Sequence, residues 1–141
     1  MIGGFAIRFH GFNRSTDDMD LWLDDTLVNR QNLRAAFNAV GYGDVPSLET
    51  MEFVPGWTSF YINAGIEVDI LTAMRGLEDV SFKEGLEQAS VAEIEGIRIP
   101  FLHINHLIRN KRAVNRPKDQ IDVIELEQIK KIREDGDSHK L

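Results

Sequence analysis

Asp17, Asp18 and Asp20 crowd the apolar residues Met19, Leu21, Trp22 and Leu23 in the stretch RSTDDMDLWL, residues 14–23. Acidic side chains are poor strand formers and costly to bury without a partner. Carboxylates where a core strand begins therefore need a reason. Along a strand, alternate side chains share a face. Asp18 and Asp20 thus point together, with Met19, Leu21 and Leu23 on the opposite side. Two carboxylates that close raise one another's pKa unless a cation lies between them. A hard divalent ion with oxygen ligands resolves the conflict; Mg²⁺ is the usual one where phosphates are handled, and Mn²⁺ can replace it. The stretch GIEVDIL, residues 65–71, repeats the peculiarity, with Asp69 set between core-facing Val68 and Ile70 and sharing a face with Glu67. Three carboxylates on two adjacent strands could hold two metals about 3.5–4 Å apart. One would steer a triphosphate and the other would activate a hydroxyl for in-line displacement.

Those side chains need elements to position them. The spacing predicts a short helix over 5–10, with Phe5, Ala6 and Phe9 on one face, Gly3-Gly4 before it and Gly11 closing it. A strand is expected over 19–23, then a helix over 30–40 capped by Asn29, with Leu33, Ala36, Phe37 and Val40 on one side. Residues 42–56, carrying Gly43, Pro46, Pro55 and Gly56, read as a loop. Strands 58–62 and 66–71 flank Asn63-Ala64-Gly65 as a hairpin, and strands 91–94 and 97–101 flank Glu95-Gly96 as another. A short helix over 82–88 precedes the second hairpin. Asn105 is expected to cap a helix over 106–113. Pro117 suits the first position of a final helix whose buried stripe would be Ile121, Ile124, Ile129 and Ile132. The segment 134–141 reads as a polar, frayed tail. This order predicts an α+β or α/β fold, a mixed β-sheet with helices packed on it, in a single domain over 1–133.

The chain resembles the nucleotidyltransferase fold of the DNA polymerase β superfamily. The resemblance rests on Gly3-Gly4, a short helix, Arg14-Ser15-Thr16, Asp18-Met19-Asp20-Leu21, Val68-Asp69-Ile70-Leu71, and Asn110-Lys111 followed by Arg116-Pro117-Lys118-Asp119-Gln120-Ile121-Asp122. It runs from Gly3 to about Leu126 and is strongest to the small stand-alone nucleotidyltransferases of toxin–antitoxin and abortive-infection systems. Their pattern usually has a helix and a full strand before the glycine pair, where this sequence has only Met1 and Ile2; the expectation is that this N-terminal helix and most of the first strand are missing. The resemblance implies metal binding by Asp18, Asp20 and Asp69, with Asp69 also helping to deprotonate the acceptor hydroxyl. It implies triphosphate binding by the backbone of Gly3 and Gly4, phosphate neutralisation by Lys111, and support of the loop by Arg14 and Thr16. Arg116 and Asp119 are further candidates.

Plainer readings stand beside these. An Asp-x-Asp before an apolar run also suits a solvated turn, and Glu67 competes with Asp69 as third ligand. Lys111 could be a surface residue whose stem lies along apolar neighbours. Asp119 and Asp122 could pair with Arg116 or favour the final helix's N-terminus by their charge. His103 and His106 have a metal-compatible spacing but no third ligand in sight, and His10 borders the glycine helix without a specified role. Trp22 and Trp57 read as packing residues.

Composition bounds the function further. The 141 residues contain no cysteine, which removes disulfides, thiolate zinc sites and cysteine nucleophiles, and fits a cytoplasmic setting. No apolar run approaches the roughly 20 residues of a membrane helix. A net charge of -7 argues against a general nucleic-acid coat, although 109–118 holds five basic residues and no acidic one. The expected activity is transfer of a nucleoside monophosphate from an NTP to a hydroxyl on a protein, a tRNA or a small molecule. The competing expectation is a non-catalytic partner of the same fold, acting as a homodimer or with a cognate toxin or antitoxin.

Overall fold

The computed structural model describes residues 1–54 and 58–139. Pro55, Gly56 and Trp57, expected in a loop and in packing, and the last two residues of the tail lie outside the described residues.

Helix α1 (Gly3–His10) leads into β1 (Asp18–Trp22) and α2 (Leu27–Ala39). A short 3₁₀ turn (Pro46–Glu49) and a second one (Asn63–Gly65) bracket β2 (Ser59–Ile62), after which β3 spans Ile66–Leu71. Helix α3 (Phe82–Gln88), the hairpin of β4 (Ser90–Ile94) and β5 (Ile97–Phe101), α4 (Ile104–Val114) and α5 (Pro117–Ser138) complete the α+β chain. The main sheet has the order β1-β3-β2, with β1 parallel and β2 antiparallel to the central β3.

Local chemistry explains the boundaries. The Glu95-Gly96 turn has positive φ at both residues, 52° and 79°, as a two-residue hairpin requires. Ser81 and Glu84 form a reciprocal capping box on α3. Two caps differ from expectation. Thr26, not Asn29, caps α2: its side chain accepts from the Asn29 N–H, so the helix starts three residues earlier. His103, not Asn105, caps α4, its Nδ1 accepting from the Asn105 N–H at 3.1 Å.

The sheet separates two apolar cores. Met19, Leu21, Val68 and Ile70 face α2 and pack with Phe37, Leu48 and Phe60. Trp22 and Leu71 face the other way, onto a core of Ala6, Ile7, Leu107, Ile108 and Leu126 from α1, α4 and α5. Each fully buried aliphatic among them contributes roughly 1.5–3 kcal/mol. Met1 and Ile2 stitch the sheets together. The Met1 amine donates to the Pro100 carbonyl at 2.7 Å, and the Ile2 N–H donates to the Asp20 carbonyl at 3.0 Å.

The expected stripe of α5 is corrected. Ile121, Ile124 and Ile132 are 55%, 57% and 70% exposed, and only Ile129 of the four packs against the core. The inward face carries Asp119, Asp122 and Leu126 instead. The segment expected to fray from residue 134 continues as helix to Ser138.

Candidate active site

Parallel register sets Asp20 opposite Asp69, and Asp18 opposite Glu67. All four side chains therefore share the sheet face turned toward α1 and α4, while the alternate residues lie in the α2 core. The sequence-predicted carboxylates lie on one face of the sheet, on the adjacent strands β1 and β3. Burial and the neighbouring Asp69, with a smaller push from Asp18, raise the pKa of Asp20 to about 6 against the pull of Lys111 and Lys118. Ser59, opposite Asp69 on β2, donates its hydroxyl to Asp69 Oδ1 at 2.5 Å.

Of the glycine pair, Gly3 abuts Asp20 and Gly4 packs on Thr16 and Arg14. Gly3 has φ +64°, and a Cβ there would lie 2.0 Å from Asp20 Oδ2. A Cβ on Gly4 would lie 2.4 Å from Thr16 Oγ1 and 3.1 Å from Arg14 Nη2. Only glycine lets the backbone approach so closely. α1 starts at Gly3 with no side-chain cap, so the helix's positive end lies at the cleft.

The opposite wall is cationic. A cleft of about 350 Å³ is lined by Gly3, Asp20, Met74, Arg75, Lys111 and Arg116, among others. Lys111 is only 6% exposed. Its Nζ lies 3.2 Å from Asp119 Oδ1 and 3.5 Å from Asp122 Oδ2, so it is not a surface lysine. Arg116 Nε lies 2.7 Å from Asp119 Oδ2, yet more than half of its side chain stays exposed. Asp119 itself is fully enclosed. Burial pushes its carboxyl up, but the Arg116 side chain and N–H, together with Lys111, outweigh that and hold it at about 2. Asp119 is thus committed to the two cations and not to the open cleft.

The structure brings Gly3, Gly4, Arg14, Thr16, Asp20, Asp69, Lys111 and Arg116 into one region, with Asp18 one strand step away. Sequence reasoning passed over Arg75 and Ser59. Arg75 follows β3 by four residues, and Ser59 is found only from the β2–β3 register. His103 and His106, whose rings are 6.2 Å apart, lie elsewhere, around the start of α4.

A hard divalent cation would suit the donor set: carboxylate oxygens only, with that of Asp20 raised in pKa by burial and by Asp69. Among the described residues, however, no three acidic or histidine side chains are already gathered into a cage. No protein-family model matches the chain, and no curated protein matches it.

Proposed function

We propose that the protein is a Mg²⁺-dependent nucleotidyltransferase, with Mn²⁺ as a substitute, that moves a nucleoside monophosphate from an NTP to a hydroxyl acceptor. The observation that carries this reading is the placement of Asp20 opposite Asp69 with Gly3 packed against the Asp20 carboxylate. Asp18, Asp20 and Asp69 would hold the metal. When bound, it would supply charge neutralisation at the phosphates and acidify the acceptor hydroxyl.

The chain's own residues have separate tasks. The uncapped first turn of α1 offers backbone N–H groups to phosphate oxygens. Lys111 and Arg116 face them across the cleft and offset the charge of the departing pyrophosphate. The acceptor oxygen forms a bond to the α-phosphorus as the bond to the bridging oxygen of pyrophosphate breaks. Asp69 takes the hydroxyl proton. Catalysis on this reading is mainly positioning and charge stabilisation. The acceptor class, whether protein, tRNA or small molecule, is set by surfaces outside the motif.

Calorimetry with ATP, CTP, GTP and UTP in the presence of Mg²⁺ tests the reading. Binding of at least one of them, lost in Asp20→Asn and Asp69→Asn, is expected. Binding of none, or binding unaffected by both substitutions, would remove it.

One observation favours a second reading, a non-catalytic module of this fold that self-associates. Ile121, Ile124 and Ile132 recur at helical spacing on the outer face of α5, all more than half exposed. Light scattering separates the two: a stable dimer with no nucleotide affinity favours the module. A role beside a cognate toxin or antitoxin would be one form of either reading.

A further inference from the structure

Arg14 and Asp122 lie 108 residues apart in sequence and meet beneath the glycine turn. Arg14 Nη1 donates to both oxygens of Asp122, at 3.1 and 3.3 Å. Asp122 is 1% exposed, and the Arg14 Nε is buried without a hydrogen-bond partner. The guanidinium is thus held by its far end alone. Its other terminal nitrogen, Nη2, stands 3.1 Å from the position of a Gly4 Cβ. Asp122 Oδ2 also lies 3.5 Å from Lys111 Nζ, and Asp119 joins the same lysine to Arg116. Two enclosed carboxylates therefore gather three cations, of which Lys111 and Arg116 line the cleft. One of the three supports the glycine turn; the other two form the opposite wall.

We propose that Asp122 is a positioning residue that links the two anion-binding halves of the cleft, so that a polyphosphate is gripped from both sides only while the Asp122 carboxylate is intact. The residue does not touch the ligand. It acts through Arg14 on the Gly3-Gly4 turn and through Lys111 on the facing wall. This inference rests on the phosphate-binding part of the reading above, but not on metal binding or on transfer.

Position and bare charge predict opposite signs. Deleting a negative charge near an anion site strengthens anion binding if the charge acts only through space. Deleting a group that orients the anion's donors weakens it, because a buried cation left without its partner relaxes away from its working position.

The test is calorimetric titration of the full chain with inorganic tripolyphosphate, without metal, for wild type, Asp122→Asn, Arg14→Gln and the double variant. A weakening of at least about tenfold in Asp122→Asn is expected, the loss typical of a broken charge-assisted contact. Arg14→Gln should weaken binding as well, and the double variant should lose less than the sum of the singles, because both substitutions cut one path. Should Asp122→Asn fail to fold, Arg14→Lys takes its place, since it keeps the charge and loses the two-oxygen contact. Unchanged or tighter tripolyphosphate binding in Asp122→Asn, strictly additive losses, or no binding by wild type would each overturn the proposal. Weakening in the variants together with no NTP transfer by wild type would uphold it while removing the nucleotidyltransferase reading.

Discussion

Asp20 is held at a cost to the fold. Its pKa is raised from 3.8 to about 6, so the folded state binds its proton more tightly than the unfolded chain does. The sign follows from linkage: the penalty is absent below pH 3.8, grows between 3.8 and about 6, and is complete above that. Metal-free Asp20→Asn should therefore melt at a higher temperature than wild type at pH 7.5, and the gain should vanish by pH 4. A thermal melt series across pH checks this, and equal midpoints at pH 7.5 would contradict it. Asp119 works in the opposite direction. Its pKa is lowered to about 2, so its stabilisation is whole above 3.8 and is lost as pH falls toward 2. Gly3→Ala combines a positive φ with a Cβ 2.0 Å from Asp20 Oδ2. It should cost at least about 1 kcal/mol in denaturant unfolding.

At the scale of elements, α1 is fixed at both ends. Its C-terminal His10 directs Nε2 at the Leu102 carbonyl, 2.8 Å away, and Arg133 of α5 donates to the His10 carbonyl, also at 2.8 Å. Burial, outweighing the hydrogen bond to Leu102, lowers the His10 pKa, with Arg133 and His103 adding to the fall. A lowered histidine pKa means that the stabilisation is whole above 6.5 and lost as pH drops below it. His10→Gln should flatten that loss between pH 7 and 5 in urea unfolding; an unchanged slope would assign the dependence elsewhere. Helix α5 also shows why part of the fold was hidden in the sequence. Its isoleucines suggest a buried stripe, yet ion pairing lets Asp119 and Asp122 take the inward face beside Leu126. Hydrophobic periodicity has no means of recognising carboxylates whose partners, Arg14 and Lys111, come from other elements. The expected consequence is an asymmetry: Leu126→Ala costs about 2–5 kcal/mol, whereas Ile132→Ala stays within about 0.5 kcal/mol in the same unfolding assay.

For the whole molecule, the strand alternation of Met19 to Leu23 and Val68 to Leu71 was legible because one face is apolar and the other is not. It correctly put Asp18, Asp20 and Asp69 on one side of one sheet. The enclosure of Lys111, the Ser59 contact and the strut from Arg14 to Asp122 depend on contacts between distant segments, which no local pattern encodes. One cleft is lined by Gly3 and Asp20 together with Arg75, Lys111 and Arg116. No helix among the described residues is long and apolar enough to cross a membrane. The reading turns on whether residues 18, 20 and 69 close on a divalent ion when nucleotide is present. Carboxyl-carbon NMR of the full chain, titrated with Mn²⁺ and a non-hydrolysable NTP, addresses this most directly. Selective loss of the Asp18, Asp20 and Asp69 signals, ahead of exposed acids such as Glu95, is expected. Broadening of Glu95 at the same Mn²⁺ concentration as Asp20 and Asp69, or no broadening of those two, would contradict metal-assisted nucleotidyl transfer at this site.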